Sequence, residues 1–270
     1  MTNLSNDVVL YRRLVGARIR SQWQYRASFV LDAVGSFCMT AIDFVVVWAL
    51  FRHFPALDGW TLPEVALLYG ISGIGIAVAD LGCGHLEELY LDIRSGKFDV
   101  VLLRPVSTLV QVLAADLALR RVGRVLQATA VLVYALAAAD VAWTPARLAL
   151  LPVGVVCAAL LYAATFVLWA GISFWTLGAN EVGNAFTYGG NTMTSYPLSV
   201  FGAWLRRLYA FVVPLAFVTY FPGLYLLGKD DPLGYPRWFQ FAAPVVTTAY
   251  VAVALAFWRF AVRHYRSTGS

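Results

Sequence analysis

The chain is predicted to be an all-α membrane protein with six transmembrane helices, an N-terminal interfacial helix and both termini cytoplasmic. Three observations predict this. First, 60% of the 270 residues are hydrophobic and only 13% charged, with a mean hydropathy of +0.70, whereas an ordinary soluble domain is about 25% charged. A soluble fold with so little charge would expose large apolar patches, so the bilayer is the natural solvent. Second, six segments approach the roughly 20 apolar residues that a spanning helix needs. Third, six crossings sort the basic residues almost entirely onto one side.

The elements follow in chain order. Residues 8–26 (VVLYRRLVGARIRSQWQYR) place Val8, Tyr11, Val15, Ile19 and Trp23 at helical spacing with arginines between them. This is the pattern of a helix lying in the headgroup plane, apolar face down and cations toward anionic lipid. A solvated basic leader is the other reading. The N-terminus lacks the basic region, apolar core and small-residue cleavage site of a signal peptide, so the first span is expected to be retained. The spans are 28–51, 62–84, 124–142, 147–178, 205–228 and 239–262. The second begins with Pro63, suited to a first turn, and the fourth is long enough to tilt or project. The fifth contains Pro214 and Pro222.

With the N-terminus inside, the cytoplasmic side receives sixteen basic residues: Arg12, Arg13, Arg18, Arg20, Arg26, Arg94, Lys97, Arg104, Arg120, Arg121, Arg124, Arg206, Arg207, Arg259, Arg263 and Arg266. The outside receives four, Arg52, Arg147, Lys229 and Arg237. Such an asymmetry sets the orientation by the positive-inside rule. The net charge of +5 is accounted for by this topology and implies no nucleic-acid partner.

The inside loop from His85 to Arg124 is far longer than a connector requires. Leu86, Leu89, Tyr90 and Ile93 form an apolar stripe opposed by Glu87, Glu88, Asp92 and Arg94. Gly96 supplies a helix stop. The run Val100–Leu103 is then closed by Arg104–Pro105, and Ser107 is a fair N-cap for a second amphipathic helix. The stripe needs something to bury it, and either a partner protein or the headgroup layer would serve. The 178–199 loop (GANEVGNAFTYGGNTMTSYPLS) carries Glu181 as its one charge, with Asn184 among its amides. It reads as a wet vestibule lining or a flexible connector.

Asp32, Asp43 and Asp80 fall in or near the first two spans. An intramembrane carboxylate costs roughly 2.5–3.5 kcal/mol on insertion scales, so each faces protein or water and is a candidate pathway or interface residue. Asp32 and Asp43, eleven residues apart, share a helix face, and Asp32 and Asp80 sit close enough to the inner boundary to pair with Arg26 or another cation. Gly70, Gly73, Gly75 and Ala79 allow close helix approach, within the chain or between subunits.

Much chemistry has no sequence support. There is no G-x-x-x-x-G-K-[ST] phosphate loop, no Ser/His/Asp or HExxH constellation, and no metal-ligand spacing among Cys38, Cys83 and Cys157. No catalytic, cofactor or metal residue is therefore named. A secondary transporter with Asp43 as proton relay and a non-transporting membrane subunit both remain compatible with these patterns.

The blocks "LEELYLDIRSGKFDVVLLRPVS", "FWTLGANEV" and "SYPLSVFGAWLRRLYAFVVPLAFVTYFP", with the basic leader and tail, resemble the permease subunits of ABC-2 type ABC transporters. They are most similar to the branch formerly described as a domain of unknown function. The resemblance implies a single six-span domain with a cytoplasmic coupling helix, working as a dimer with a like or homologous permease in the bacterial cytoplasmic (inner) membrane. ATP and Mg would be bound by the partner ATPase subunits and not by this chain. It assigns ATPase coupling to Leu86, Glu87, Glu88, Leu89, Tyr90, Asp92 and Arg94, flanked by Lys97 to Arg104, with Val100–Leu103 resting on apolar surface. The family's re-entrant pair before the last span would fall at 229–243. The implied function is export of a hydrophobic or amphipathic compound.

Overall fold

In a computed structural model of the protein, the described residues are 16, 26–115, 121–176 and 180–266. Most of the expected interfacial helix (8–26) and Arg120 lie outside them. Helix α1 spans Arg26–His53 and α2 Leu62–Cys83. A 3-10 turn, Gly84–Glu88, leads into α3 (Leu89–Arg94), followed by α4 (Lys97–Leu102), α5 (Thr108–Ala115) and α6 (Val122–Ala138). Then come α7 (Pro145–Ile172), α8 (Asn180–Thr194), α9 (Ala203–Arg207), α10 (Tyr220–Leu227) and α11 (Ala243–Arg263). Among the described residues, four helical runs are long and apolar enough to cross a membrane: α1, α2 with its continuation to Arg94, α7 and α11. The 17-residue α6 is apolar but shorter, and a bent pair, Ala203–Val212 with Leu215–Leu227, would make a fifth if counted as one span.

The helix starts follow from local chemistry. Before α2, the Thr61 N–H donates to Glu64 Oε2 at 2.7 Å and Pro63 occupies the first turn, where its missing donor is harmless. Thr144 accepts from the Arg147 N–H at the start of α7, with Pro145 just inside.

The packing order is α1, α6, α2, α7, α11, with each helix lying along the next. α2 is central because its small residues let neighbours approach. A Cβ at Gly70 would meet Leu132 of α6 at 2.7 Å, and one at Gly75 would meet Ala158 of α7 at 2.6 Å. These glycines therefore serve packing within the chain. Leu67, Leu68, Ile71, Leu161 and Tyr162 are fully enclosed around this seam. α1, by contrast, touches mainly α6 and leaves most of its length uncovered.

Two segments differ from the sequence expectation. Residues 178–199, read as a loop, contain the helix α8, packed against α2 and α7. Its apolar content is too low to register as a span, because its buried contacts use Gly, Thr and Asn. The expected fifth span, 205–228, is not one rod: its halves meet at 76°. The break falls at Val213–Pro214, where proline has no N–H to donate and its ring obstructs a continuing helix. The 229–243 region holds only a 3-10 turn, Arg237–Phe241, and no helix pair.

Candidate functional site

At the Cys83 end of the bundle, α2 runs on into α3, so that Leu62–Arg94 forms one 33-residue apolar run. At 1.5 Å per residue this is about 50 Å, against about 30 Å of hydrocarbon core. The run is therefore longer than a bilayer's hydrocarbon core by about 20 Å. Leu86, Leu89 and Ile93 are 2%, 0% and 3% exposed, built into the core of the chain itself. The stripe expected to dock on a partner or on headgroups is thus already buried against this chain, because α5 and α7 reach far enough to cover the turn. Phe98 adds to this anchor, its ring 5.0 Å from Phe174 and 5.2 Å from Tyr265. Tyr265 Oη donates to Asp99 at 2.9 Å. Gly96 turns the chain in the left-handed region (φ +71°), which a Cβ would strain. The buried Gln111 amide donates to the carbonyls of Val101 and Val106 at 3.1 and 3.0 Å, fixing the loop that follows α4.

What this block presents outward is a different set: Glu88, Leu91, Arg94 and Lys97, then Val100, Leu102, Leu103 and Arg104. Leu103 is 83% exposed. The expectation that Val100–Leu103 rests on apolar surface holds only for Val101, which packs against the core. Tyr90 and Asp92 are half-buried, and Asp92 and Glu88 face His85 at 3.6 and 3.9 Å.

Beneath this block lies a buried charge cluster. The Asp80 carboxylate is fully enclosed and paired with Arg121, with Arg124 at 2.8 Å and with the Tyr188 hydroxyl at 3.1 Å. Arg121 also donates to the Asp80 carbonyl at 3.0 Å. Gly84 makes room for that guanidinium, since a Cβ there would fall on Arg121. One carboxylate thereby ties α2 to the approach to α6 and to α8. Glu87 is half-buried beside it, its Oε1 without a hydrogen-bond partner among the described residues. With Asn184 and Thr187 it lines a small cavity of about 20 Å³.

Further toward the bundle centre is a cavity of about 210 Å³ between α1, α2, α6 and α8, lined on one part by Thr40, Asp43, Tyr69, Arg124, Gln127, Tyr188, Asn191 and Thr192 and on the other by Gly73, Ile76, Ala77 and Ala128. Two polar stripes border it. On α8, Glu181, Asn184 and Thr192 are exposed and Tyr188 and Asn191 half-buried, at helical spacing. On α1, Asp32 and Asp43 are exposed on the face that also holds Thr40, and neither makes an ion pair among the described residues. Ser72 sits behind the wall, bonded to the lining residue Asn191. Its hydroxyl lies 2.8 Å from Tyr162 Oη, 2.7 Å from Thr194 Oγ1 and 2.9 Å from Asn191 Oδ1.

The structure thus brings Asp43, Asp80 and Asn184 around α8, and leaves Asp32 and Glu181 at the periphery. Sequence reasoning missed Tyr188 and Gln127; it expected Asp80 to pair with an inside cation, and the cations are Arg121 and Arg124. The i, i+3, i+4, i+7 spacing of Asn184, Thr187, Tyr188 and Asn191 was the available signal.

These features define a multi-pass helical membrane protein with a partly polar cavity inside an apolar shell. A family model described as ABC-2 family transporter protein matches residues 37–269, and the chain belongs to that family. Its members are transport subunits without an ATPase motif of their own, and membership implies partnership with an ABC ATPase. Comparison with curated proteins and with solved structures gives no match.

Proposed function

We propose that this chain is the permease subunit of an ATP-driven exporter in the bacterial cytoplasmic membrane, forming half of the pathway with a second, like or homologous, permease. ATP and Mg are bound by partner ATPase subunits. The observation that carries this reading is mechanical. The outward set Glu88, Leu91, Leu102 and Leu103 is fixed through Leu86, Leu89, Ile93 and Phe98 to the same rod as α2. A push on that surface moves α2 as a lever, and α2 walls the polar cavity. ATP-driven closure of the docked ATPases would then open the path to the other side, as a rigid-body alternation.

The orientation follows the charge sorting, with the Cys83 end cytoplasmic. The crossings are α1, α2, α5 with α6, α7, α8 with the residues after it, and α11. In this assignment the bent pair 203–227 does not cross. Supporting this, Asn184 and Thr187 of α8 sit beside Glu87 at the Cys83 end, while Thr194 reaches Ser72 at mid-depth. Arg206 and Arg207, sorted inside in the sequence analysis, then fall outside, which leaves fourteen basic residues inside and six outside. The substrate class is an amphipathic compound, since the cavity combines polar side chains with an apolar wall and lies beside the exposed apolar length of α1.

The test is uptake into inside-out vesicles carrying this chain and its partner ATPase. Transport that survives mutation of the phosphate-loop lysine in that ATPase would sink the ATP-driven reading. Transport driven by a proton gradient alone and lost in Asp43→Asn would replace it with ion coupling.

A further inference from the structure

A groove of about 520 Å³ lies on the bent pair, lined by Trp204, Arg207, Leu208, Phe211, Val212 and Tyr235. Its position is fixed by a chain of contacts. The Phe211 ring lies 6.2 Å from that of Tyr235, whose N–H donates to Asp231. Asp231 accepts from Tyr220, and Tyr220 lies 6.0 Å from Trp60, just ahead of α2. The groove therefore opens at the Leu62 end of the bundle, the end with few cations.

Every other cation at that end has a neighbour that accounts for it. Arg52 lies over the Trp48 ring at 4.7 Å. Arg147 donates to the Ala142 carbonyl and lies over Tyr225. Lys229 pairs with Glu64 at 2.8 Å, and Arg237 meets Asp230 at 3.6 Å. Arg206 and Arg207 have neither an ion pair nor a cation–π contact among the described residues. Asp231, on the loop that carries Tyr235, is already committed to Tyr220, Leu233 and Tyr235. Trp204, Phe211 and Val212 beside them are 72%, 56% and 63% exposed. The Arg207 guanidinium stands at an aromatic slot of ligand size, with Arg206 next to it in the chain.

We propose that this groove binds an anionic phospholipid, its phosphate held by Arg207 with the adjacent Arg206 adding positive charge, and its acyl chain laid against Trp204, Phe211 and Val212. Guanidinium favours phosphate because its fork of donors matches two phosphate oxygens, and basic pockets on membrane helices hold anionic headgroups in this way. A plain aromatic belt would supply the rings but would not need two adjacent unpaired arginines.

The test is native mass spectrometry of the detergent-purified full chain after titration with phosphatidylglycerol or phosphatidylcholine. Wild type should retain phosphatidylglycerol preferentially. Arg206→Gln/Arg207→Gln should lose that preference by about fivefold per arginine, Arg206→Lys/Arg207→Lys should keep most of it, and Trp204→Ala should weaken both lipids together. Unchanged preference in the double Gln variant, with the protein still monodisperse, would overturn the proposal. Displacement of the lipid by inorganic phosphate as readily as by phosphatidylglycerol would overturn it too, as a phosphate site. A change of subunit stoichiometry with lipid retention intact would make the groove a protein interface and end the lipid reading.

Discussion

Arg124 donates to the enclosed carboxylate of Asp80 at 2.8 Å, across the gap between α6 and α2. Arg121 holds the other carboxylate oxygen and Tyr188 adds a hydroxyl, so one fully buried acid orders three elements. Such pairs give little net stability against a well-packed apolar replacement, but removing one partner strands the rest. Asp80→Ala should therefore destabilise the purified protein by about 3–5 kcal/mol, seen as an early thermal unfolding transition in detergent. Adding Arg121→Met to Asp80→Ala should recover part of the loss. If the double variant is no more stable than the single one, the cluster is not the electrostatic unit described here.

The hydroxyl group of Tyr162 provides a smaller and cleaner measurement. It lies between Ser72 and Thr194, at 2.8 and 3.0 Å, with no water-exposed surface. Interhelical hydrogen bonds in membranes average well under 2 kcal/mol. Tyr162→Phe should thus cost about 1 kcal/mol while leaving the fold intact. Because the network joins α2 and α7 to α8, the same change should loosen α8 and alter transport more than stability.

The two leucine sets at the Cys83 end separate docking from folding. Leu89 is fully buried and Leu103 is 83% exposed, although both belong to one apolar-rich stretch. Leu103→Glu should abolish capture of the ATPase partner in a pull-down while the unfolding temperature stays put. Leu89→Glu buries a charge without a partner and should prevent accumulation of folded protein. Equal capture by wild type and by a Glu88→Arg/Leu103→Glu variant would remove this surface from the coupling role.

How much of this was legible depends on how far each segment pays attention to lipid alone. α1 and α11 leave most of their apolar length uncovered, while α2 and α7 bury theirs against other apolar helices, and in both cases length and hydropathy reveal the span. α8 escapes because its neighbours are protein and a polar cavity, and Gly183, Thr187 and Asn191 suit those neighbours better than leucine would. The Leu86–Ile93 stripe was visible as amphipathic, but periodicity says only that a face is buried, not by whom. Here α5, α7 and Phe98 cover it, and the surface left for a partner, Leu91 with Val100 to Leu103, cuts across the stripe. Asp80 was visible as an anomaly, yet its partners lie 41 and 44 residues away, beyond any local pattern.

The polar stripes of α1 and α8 make the last prediction. Asp43 and Thr192 border one cavity of about 210 Å³ and are exposed in the isolated chain. A bare carboxylate facing acyl chains would be expensive, so the cavity must be wet or sealed by the second permease. In a background lacking Cys38, Cys83 and Cys157, cysteines at 43 and 192 should react with a charged, membrane-impermeant thiol reagent. A cysteine replacing Val253, exposed on the apolar flank of α11, should stay unreactive because it meets lipid. With the ATPase partner present, reactivity at 43 and 192 should change when ATP is trapped, as the cavity switches sides, while 253 should not respond. Reactivity at 43 and 192 no greater than at 253, in every state, would mean that the cavity is not on the path.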